Sequence, residues 1–309
     1  MKKILAIILT LVMTASIFAS CNEKAPNEDS QAAINEQSES LTQTEKQTQK
    51  GTTKKETTKK ETTKKETEKT YYKESTEKLA FQLNSDKKSY TLVGTGSCTL
   101  NEITIDGYKG LPVTKIGYRA LYDNSVVTKI TIGSAVTTIA EEAFYMCDNL
   151  KTVTMANNVT SIDKGAFMEC KSLETITLSS CLTSISDRTF ERCSKLKNIT
   201  LPKNITTIGS NAFLDCFALT SITLPENLTF IDECAFCFAG LKSIVIPKNV
   251  KKIGAYAFGY CELESAELTV KTGWKYEDDG SAVDAYNISD NQNIAMFLSY
   301  GSSVTIVRS

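Results

Sequence analysis

Apolar side chains recur with a period of 22 or 23 residues through six consecutive copies, which span residues 127–262. Within each copy they occupy positions 1, 4, 6, 10, 13, 17 and 18, and most copies add a cysteine at position 21. One copy begins with Leu219, Ile222 and Leu224 and continues with Leu228 and Ile231. A repeat this short cannot enclose a core of its own, so each copy must bury its apolar positions against its neighbours. The pattern therefore predicts a solenoid.

Each copy is predicted to run through a β-strand, a tight turn, a second short extended segment and a short helical turn, which makes the fold an α/β repeat solenoid. Positions 4 and 6, for example Val153 and Met155, have the two-residue spacing of a half-buried strand. Proline and asparagine follow in several copies, as at Pro202 and Asn204, and favour a reversal. Position 14 is often a helix-capping residue, so positions 17 and 18 are expected on a helical turn. Equivalent strands should stack in a parallel sheet about 4.8 Å apart.

The solenoid is predicted to occupy residues 79–268 with a cap at each end, because terminal coils otherwise expose their core. Residues 80–83 and 90–93 flank a turn at 84–87 and predict an N-terminal β-hairpin. Residues 100–126 form a degenerate first copy, and the copy that begins at Leu263 is incomplete. Residues 269–309 are assigned to an α/β C-terminal cap, with a helix over 289–300 and a closing strand over 303–307.

The first 78 residues have a different composition. Residues 1–20 have the lysines, the apolar run and the small residues of a secretory signal peptide. Phe18, Ala19, Ser20 and Cys21 resemble the lipobox of bacterial lipoproteins, although Phe18 replaces the usual leucine; the resemblance implies lipid on Cys21. Ordinary signal cleavage, which leaves Cys21 free, is the alternative. Residues 21–78 combine this cysteine with a Thr/Lys/Glu tether that cannot form a core. The prediction is an extracytoplasmic protein, lipid-anchored at the bacterial cell membrane.

The repeat motif L-x-x-I-x-[IL]-P-x-x-[VIL]-x-x-I-[GD]-x-x-A-F-x-x-C is similar to the BspA-like leucine-rich repeats of bacterial cell-surface proteins. The resemblance covers residues 100–268. It implies a non-catalytic surface module that adheres to a protein or glycan of a host matrix or of another cell. A structural component of the cell envelope and an accessory subunit of a larger extracellular system, both without a dedicated ligand, are the alternatives.

Outward-facing positions 3 and 5 of the predicted strands form two rows that are rich in threonine and serine. The centre of these rows is the candidate ligand-binding face: Thr152, Thr154, Thr175, Thr177, Asn198, Thr200, Ser221 and Thr223. Threonine also suits a solvated sheet face, and flat threonine rows occur in ice-binding solenoids, so both alternatives stay open.

Composition argues against several kinds of chemistry. The chain contains no histidine, which removes imidazole bases, nucleophile pairs that need histidine, and imidazole metal sites. Asp278, Asp279 and Asp284 lack the ligand spacing of a calcium loop and indicate a polar turn. Lysines and acids balance within the tether, and the net charge is −1, so nucleic acid is not an expected partner. No enzyme activity, cofactor or metal is predicted.

The cysteines at position 21 are predicted to fill a small buried apolar slot, because Ala239 occupies the same position in one copy. Disulfides and thiolate metal ligation are the alternatives. Cys234 and Cys237 have the C-x-x-C spacing of redox and zinc sites, but they enclose Phe236, the core phenylalanine of their copy.

Overall fold

A computed structural model of the protein describes residues 74–278, 280–283, 290–301 and 305–308. They form a solenoid of about eight coils, which confirms the predicted repeat architecture. We number the coils by their first residues: coil 1 begins at residue 100, coils 2 to 7 at residues 127, 150, 173, 196, 219 and 241, and coil 8 at residue 263. The predicted signal peptide, Cys21 and most of the tether lie outside the described residues.

The first strand of each coil belongs to a parallel sheet in which equivalent repeat positions pair, as Ile130 does with Val153. Five strands form its continuous part: β3 (Glu102–Ile105), β6 (Lys129–Ile132), β8 (Thr152–Met155), β10 (Thr175–Thr177) and β12 (Asn198–Ile199). Two more strands form a separate sheet further along: β15 (Ser243–Ile246) and β17 (Ser265–Leu268). We call the outward side of these strands the strand face.

The second side of the solenoid carries two sheets of short strands; in coils 2 to 7 each strand has two residues and ends at position 13, and further strands extend the sheets at both ends of the solenoid. The first group is β1 (Ala80–Leu83), β2 (Tyr90–Gly94), β4 (Gly107–Tyr108), β5 (Leu111–Ile116), β7 (Thr138–Ile139) and β9 (Ser161–Ile162). The second group is β11 (Ser184–Ile185), β13 (Thr207–Ile208), β14 (Phe230–Ile231), β16 (Lys252–Ile253), β18 (Trp274–Tyr276) and β19 (Ile306–Arg308). The coil-to-coil pairs are parallel, and antiparallel pairing occurs at the two ends of the solenoid.

The third side, which we call the turn edge, differs from the prediction. The helical turn expected at positions 14–18 is absent from coils 2 to 7, which the structure describes in full; two successive tight turns replace it. Residues at positions 16 and 20 have positive φ, as in Glu142 (54°) and Met146 (61°). Because of these left-handed residues, every second amide of the turn edge donates to a carbonyl of the next coil, as Phe144 N does to Ala166 O at 2.8 Å. The amides between them close turns within their own coil, as Cys147 N does by donating to Phe144 O at 3.2 Å. Position 14 therefore caps no helix.

The core lies between these three sides and contains the predicted apolar positions. The phenylalanines at position 18 are fully buried in coils 2 to 7, as are the isoleucines at position 13 in most coils. Phe144, Phe167, Phe190, Phe213, Phe236 and Phe258 stack ring on ring, with centroids 4.8 to 5.7 Å apart. Burial on this scale, repeated from coil to coil, is the main source of stability in a solenoid.

Both predicted caps are present. β1 and β2 form the N-terminal hairpin, and β2 continues into the first short-strand sheet by pairing with β5. At the other end, helix α1 (Asn291–Met296) continues as a π-helical turn, Phe297–Gly301, and α1 packs against β17. Asp290 caps α1 by accepting from the amides of Gln292 and Asn293 at 2.9 and 2.8 Å. The caps cover apolar residues that the terminal coils would otherwise expose.

Candidate binding face

The eight predicted ligand-face residues lie along one side of the solenoid. Thr152 is half-buried, and the other seven side chains are exposed. Neighbouring strands place equivalent residues side by side: Thr175 pairs with Thr152 on one side and with Asn198 on the other, and Thr177 pairs with Thr154. Thr175 Oγ1 lies 3.5 Å from Thr152 Oγ1, so the hydroxyls can form the cross-strand contacts expected of a threonine row.

Beneath this face, the number of residues that pair between neighbouring strands falls from coil 2 to coil 5, and coil 6 forms no paired strand. β6 and β8 pair over four residues, β8 and β10 over three, and β10 and β12 over two. Coil 6, whose strand would contain Ser221 and Thr223, forms no strand at this position, and pairing resumes over four residues between β15 and β17. The predicted site residues are thus divided: five lie on paired strands, Thr200 follows the end of β12, and Ser221 and Thr223 lie in the gap.

The gap leaves backbone polar groups unpaired. Within the described part of the chain, the amides of Ser221, Ile222 and Thr223 donate no hydrogen bond, whereas Lys151 N in coil 3 donates to Thr128 O at 2.8 Å. Ile222 is half-buried, although its counterparts Val153 and Ile244 are almost fully buried. Amides left in this state donate their hydrogen bonds to water or to a ligand.

A cleft of about 780 Å³ opens at this gap. Its walls come from coils 5, 6 and 7, and its polar lining includes Asn198, Thr200, Ser221, Thr223, Lys203 and Glu226. Four of these six are residues of the predicted ligand face. The volume falls within the usual range of ligand pockets, and the lining offers hydroxyls, amides and one charge of each sign. Sequence reasoning missed the cleft, because coil 6 keeps the apolar pattern of its neighbours.

The cysteines at position 21 fill buried slots, as predicted. Cys147, Cys170, Cys193 and Cys216 are fully or almost fully buried, and each thiol donates to a backbone carbonyl 26 residues earlier. In Cys193 the acceptor is Phe167 O at 3.1 Å. Burial raises the pKa of Cys216 well above its usual value and that of Cys261 to about 12. These thiols therefore stay protonated and join adjacent coils by hydrogen bonds.

A charged cluster on the turn edge was not predicted. Arg192 Nη1 lies 3.0 Å from Glu169 Oε1, and Arg192 Nε lies 3.6 Å from Asp215 Oδ2. Glu191 is 7% exposed and its Oε2 accepts no hydrogen bond, since Arg188 Nε stands 3.7 Å away. Burial raises the pKa of Glu191, and the two arginines oppose this only in part. The sequence does contain a signal for this cluster. Coil 4 has charged residues at positions 16, 19 and 20, and these positions are mostly uncharged in the other coils.

Among the residues that the structure describes, no three histidine, cysteine, aspartate or glutamate side chains are grouped closely enough to hold a metal ion. Asp278 lies in a turn after β18, while Asp279 and Asp284 are outside the described residues. The same part of the chain contains no helix that is long and apolar enough to cross a membrane.

The chain is similar to known repeat proteins. The family model for the BspA type leucine rich repeat region matches six copies, over residues 64–180, 114–241 and 160–273. No curated protein shows significant similarity to the chain.

Two solved structures share the fold at TM-scores above 0.5. A leucine rich cell surface protein from Faecalibacterium prausnitzii is 32% identical with a TM-score of 0.57, over 66% of this chain and 56% of that one. The T. pallidum leucine rich repeat protein is 26% identical with a TM-score of 0.51, over 54% of this chain and 78% of that one. The chain thus spans little more than half the length of the first structure. The match over more than half of the chain shows that this protein belongs to the BspA-type leucine-rich repeat family.

Proposed function

We propose that the protein is a non-catalytic binding module of the bacterial cell surface, which takes up a protein or glycan of a host matrix or of a neighbouring cell on its strand face. The observation that carries this proposal is the interrupted sheet at coil 6. It combines a cleft, unpaired backbone amides and exposed hydroxyls at the C-terminal end of the predicted ligand face. Unpaired donors on a rigid scaffold suit recognition, because a ligand that accepts from them replaces only water.

A point charge in the cleft tests the site. Thr223→Lys places an ammonium group against the lining, and Thr183→Lys makes the same change at an exposed residue on the short-strand side of coil 4. Both substitutions should change the free energy of unfolding by no more than about 0.5 kcal/mol, because both side chains are exposed. Arrays of matrix proteins, glycans and intact cells would supply the ligand. Only Thr223→Lys should reduce saturable binding; equal loss in both variants, or no saturable binding by the parent, contradicts the proposal.

We also propose that lipid on Cys21 holds the protein at the membrane. The lipobox-like residues 18–21 and the lysine-led apolar run before them support this anchor. Cys21→Ser should abolish incorporation of labelled palmitate and release the protein into the medium or leave it unprocessed. Labelled protein that stays with the cells after this change would contradict lipid attachment at Cys21.

A further inference from the structure

Coil 6 carries two cysteines on its turn edge, at repeat positions 16 and 19. Cys237 N donates to Cys234 O at 3.1 Å, which closes a four-residue turn over Ala235 and Phe236. Such a turn holds its first and last Cα atoms within about 7 Å, near the upper limit of the Cα separation of disulfides. The turn therefore brings two cysteines of one coil close together.

Equivalent residues in other coils show how close side chains at repeat positions 16 and 19 lie to each other. A Cβ atom built on Gly165, at position 16 of coil 3, would lie 3.8 Å from Met168 Cβ at position 19. In coil 7, a Cβ on Gly259 would lie 3.1 Å from Tyr256 Cβ. Disulfides have Cβ atoms about 3.5–4.5 Å apart. The first of these distances lies within that range and the second lies just below it, so the backbone of the turn edge brings Cβ atoms at positions 16 and 19 close enough for a disulfide.

The two sulfur atoms have different environments. Cys234 is 8% exposed, whereas Cys237 is fully buried. A hydrogen bond from the Cys237 thiol to the Cys234 thiolate lowers the pKa of Cys234, and the same interaction raises the pKa of Cys237. Gly259 of coil 7 packs closely against the second sulfur, since a Cβ built there would lie 3.3 Å from Cys237 Sγ. Cys234 is therefore the sulfur that an external reagent meets first, and its thiolate is the better nucleophile of the pair.

We propose that Cys234 and Cys237 form a redox-active dithiol that a low-molecular-weight disulfide oxidises reversibly to an intramolecular disulfide. The Cys234 thiolate attacks one sulfur of the reagent RSSR, forms a mixed disulfide and expels RS⁻. Cys237 then loses its proton to solvent, attacks Cys234 Sγ and expels the second RS⁻. The two expelled thiolates take up protons, so the dithiol loses two electrons and two protons and RSSR becomes two RSH. This site is independent of the strand face and its ligand.

Equilibration of the full chain in glutathione buffers of graded reduced-to-oxidised ratio tests the proposal. Acid quenching, unfolding and alkylation, followed by mass spectrometry of peptides, would show which cysteines are paired. We expect a disulfide between Cys234 and Cys237 that forms and disappears with the ratio. In brief alkylation of the folded protein, Cys234 should react at least about tenfold faster than any thiol at position 21, because those thiols are buried and protonated.

Three variants separate this pair from the other thiols. In Cys237→Ala the mixed disulfide with glutathione should accumulate on Cys234, and in Cys234→Ala neither species should form. Cys216→Ala is the matched control: Ala239 occupies the same slot in coil 6, so this variant should oxidise like the parent. Pairing of Cys237 with Cys261 instead, or a parent in which Cys234 and Cys237 stay fully alkylatable at every ratio, would overturn the proposal. Both outcomes are read on the parent protein, so they stand even if a variant fails to fold.

Discussion

Phe190 occupies the middle of the ring stack, between Phe167 at 5.7 Å and Phe213 at 5.4 Å between centroids. Phe190→Ala should lower the free energy of unfolding by roughly 3–5 kcal/mol, because the change empties a fully buried site whose walls are fixed by both neighbouring coils. Chemical denaturation would measure it. Phe217→Ala is the control, since Phe217 is 59% exposed and should cost no more than about 0.5 kcal/mol. A loss below about 1 kcal/mol for Phe190→Ala would contradict the stacked core.

At the residue scale, the buried carboxylate of Glu191 lowers the free energy of unfolding. Its neighbours at position 19 are Met168 and Leu214, so Glu191→Met matches the coils on either side. At pH 7 this variant should be more stable than the parent by about 1–2 kcal/mol, because a buried carboxylate oxygen without a hydrogen bond is removed.

The pH dependence of that difference has a definite sign. The pKa of Glu191 is raised in the folded state, so the folded parent binds a proton more readily than the unfolded parent does. The parent therefore gains stability relative to Glu191→Met as the pH falls through the folded pKa, and the whole gain is present below the ordinary glutamate value of 4.5. Urea titrations at several pH values would show the advantage of the variant shrinking toward acid pH. An advantage that is constant with pH would mean that Glu191 does not titrate with a raised pKa.

At the scale of elements, the strands were predictable and the turn edge was not. Residues such as Val153 and Met155 alternate with half-buried or exposed threonines, and this period can only be satisfied by a strand with one buried face. The turn edge depends instead on positive φ at Arg188, Arg192 and Phe238, whose residue types give no local signal for this conformation. Hydrogen bonds to the next coil stabilise it, and a single repeat contains no information about its neighbour's carbonyls.

The candidate binding face was also predictable only in part. The alternation predicted which residues face outward, and seven of the eight are exposed. The gap at coil 6 was not predictable, because Ile222 and Leu224 keep the apolar pattern while their strand leaves the sheet. Whether a strand pairs depends on its position relative to both adjacent coils, which the pattern within one coil does not report.

Amide hydrogen exchange should detect this gap directly. The amides of Ser221, Ile222 and Thr223 have no acceptor within the described residues, so they should exchange orders of magnitude faster than those of β8. Within coil 6 itself, Phe236 N donates to Ala257 O at 2.7 Å and should remain protected. This internal comparison separates a local gap from unfolding of the whole coil. Protection of Ser221 to Thr223 equal to that of β8 would show that the sheet is continuous in solution.

At the scale of the whole molecule, the free energy of unfolding is approximately a sum of contributions from single coils and from contacts between adjacent coils. The two ends of the solenoid are closed by different caps. Each coil touches only the coil before it and the coil after it, so a perturbation should remain near its origin. The C-terminal end is closed by β19, which pairs antiparallel with β16, and by α1, whose Ile294 is fully buried. Trp274 and Phe297 are also buried in this cap. Without these residues the last coils would present apolar surface to water.

Removal of residues 269–309 should therefore unfold the solenoid from its C-terminal end. Coils 7 and 8 lose β19 beside β16 and α1 beside β17, so within the solenoid trypsin should cut first at Lys251, Lys252 or Lys242, while the coils before them stay protected. Limited proteolysis with mass spectrometry would locate the first cuts. Asp290→Ala is a milder variant of the same experiment: it removes the N-cap of α1 and should cost about 1 kcal/mol, with the same sites becoming sensitive at higher denaturant. Simultaneous cleavage throughout the truncated chain would show that the coils unfold as one cooperative unit, and the nearest-neighbour description would then be wrong.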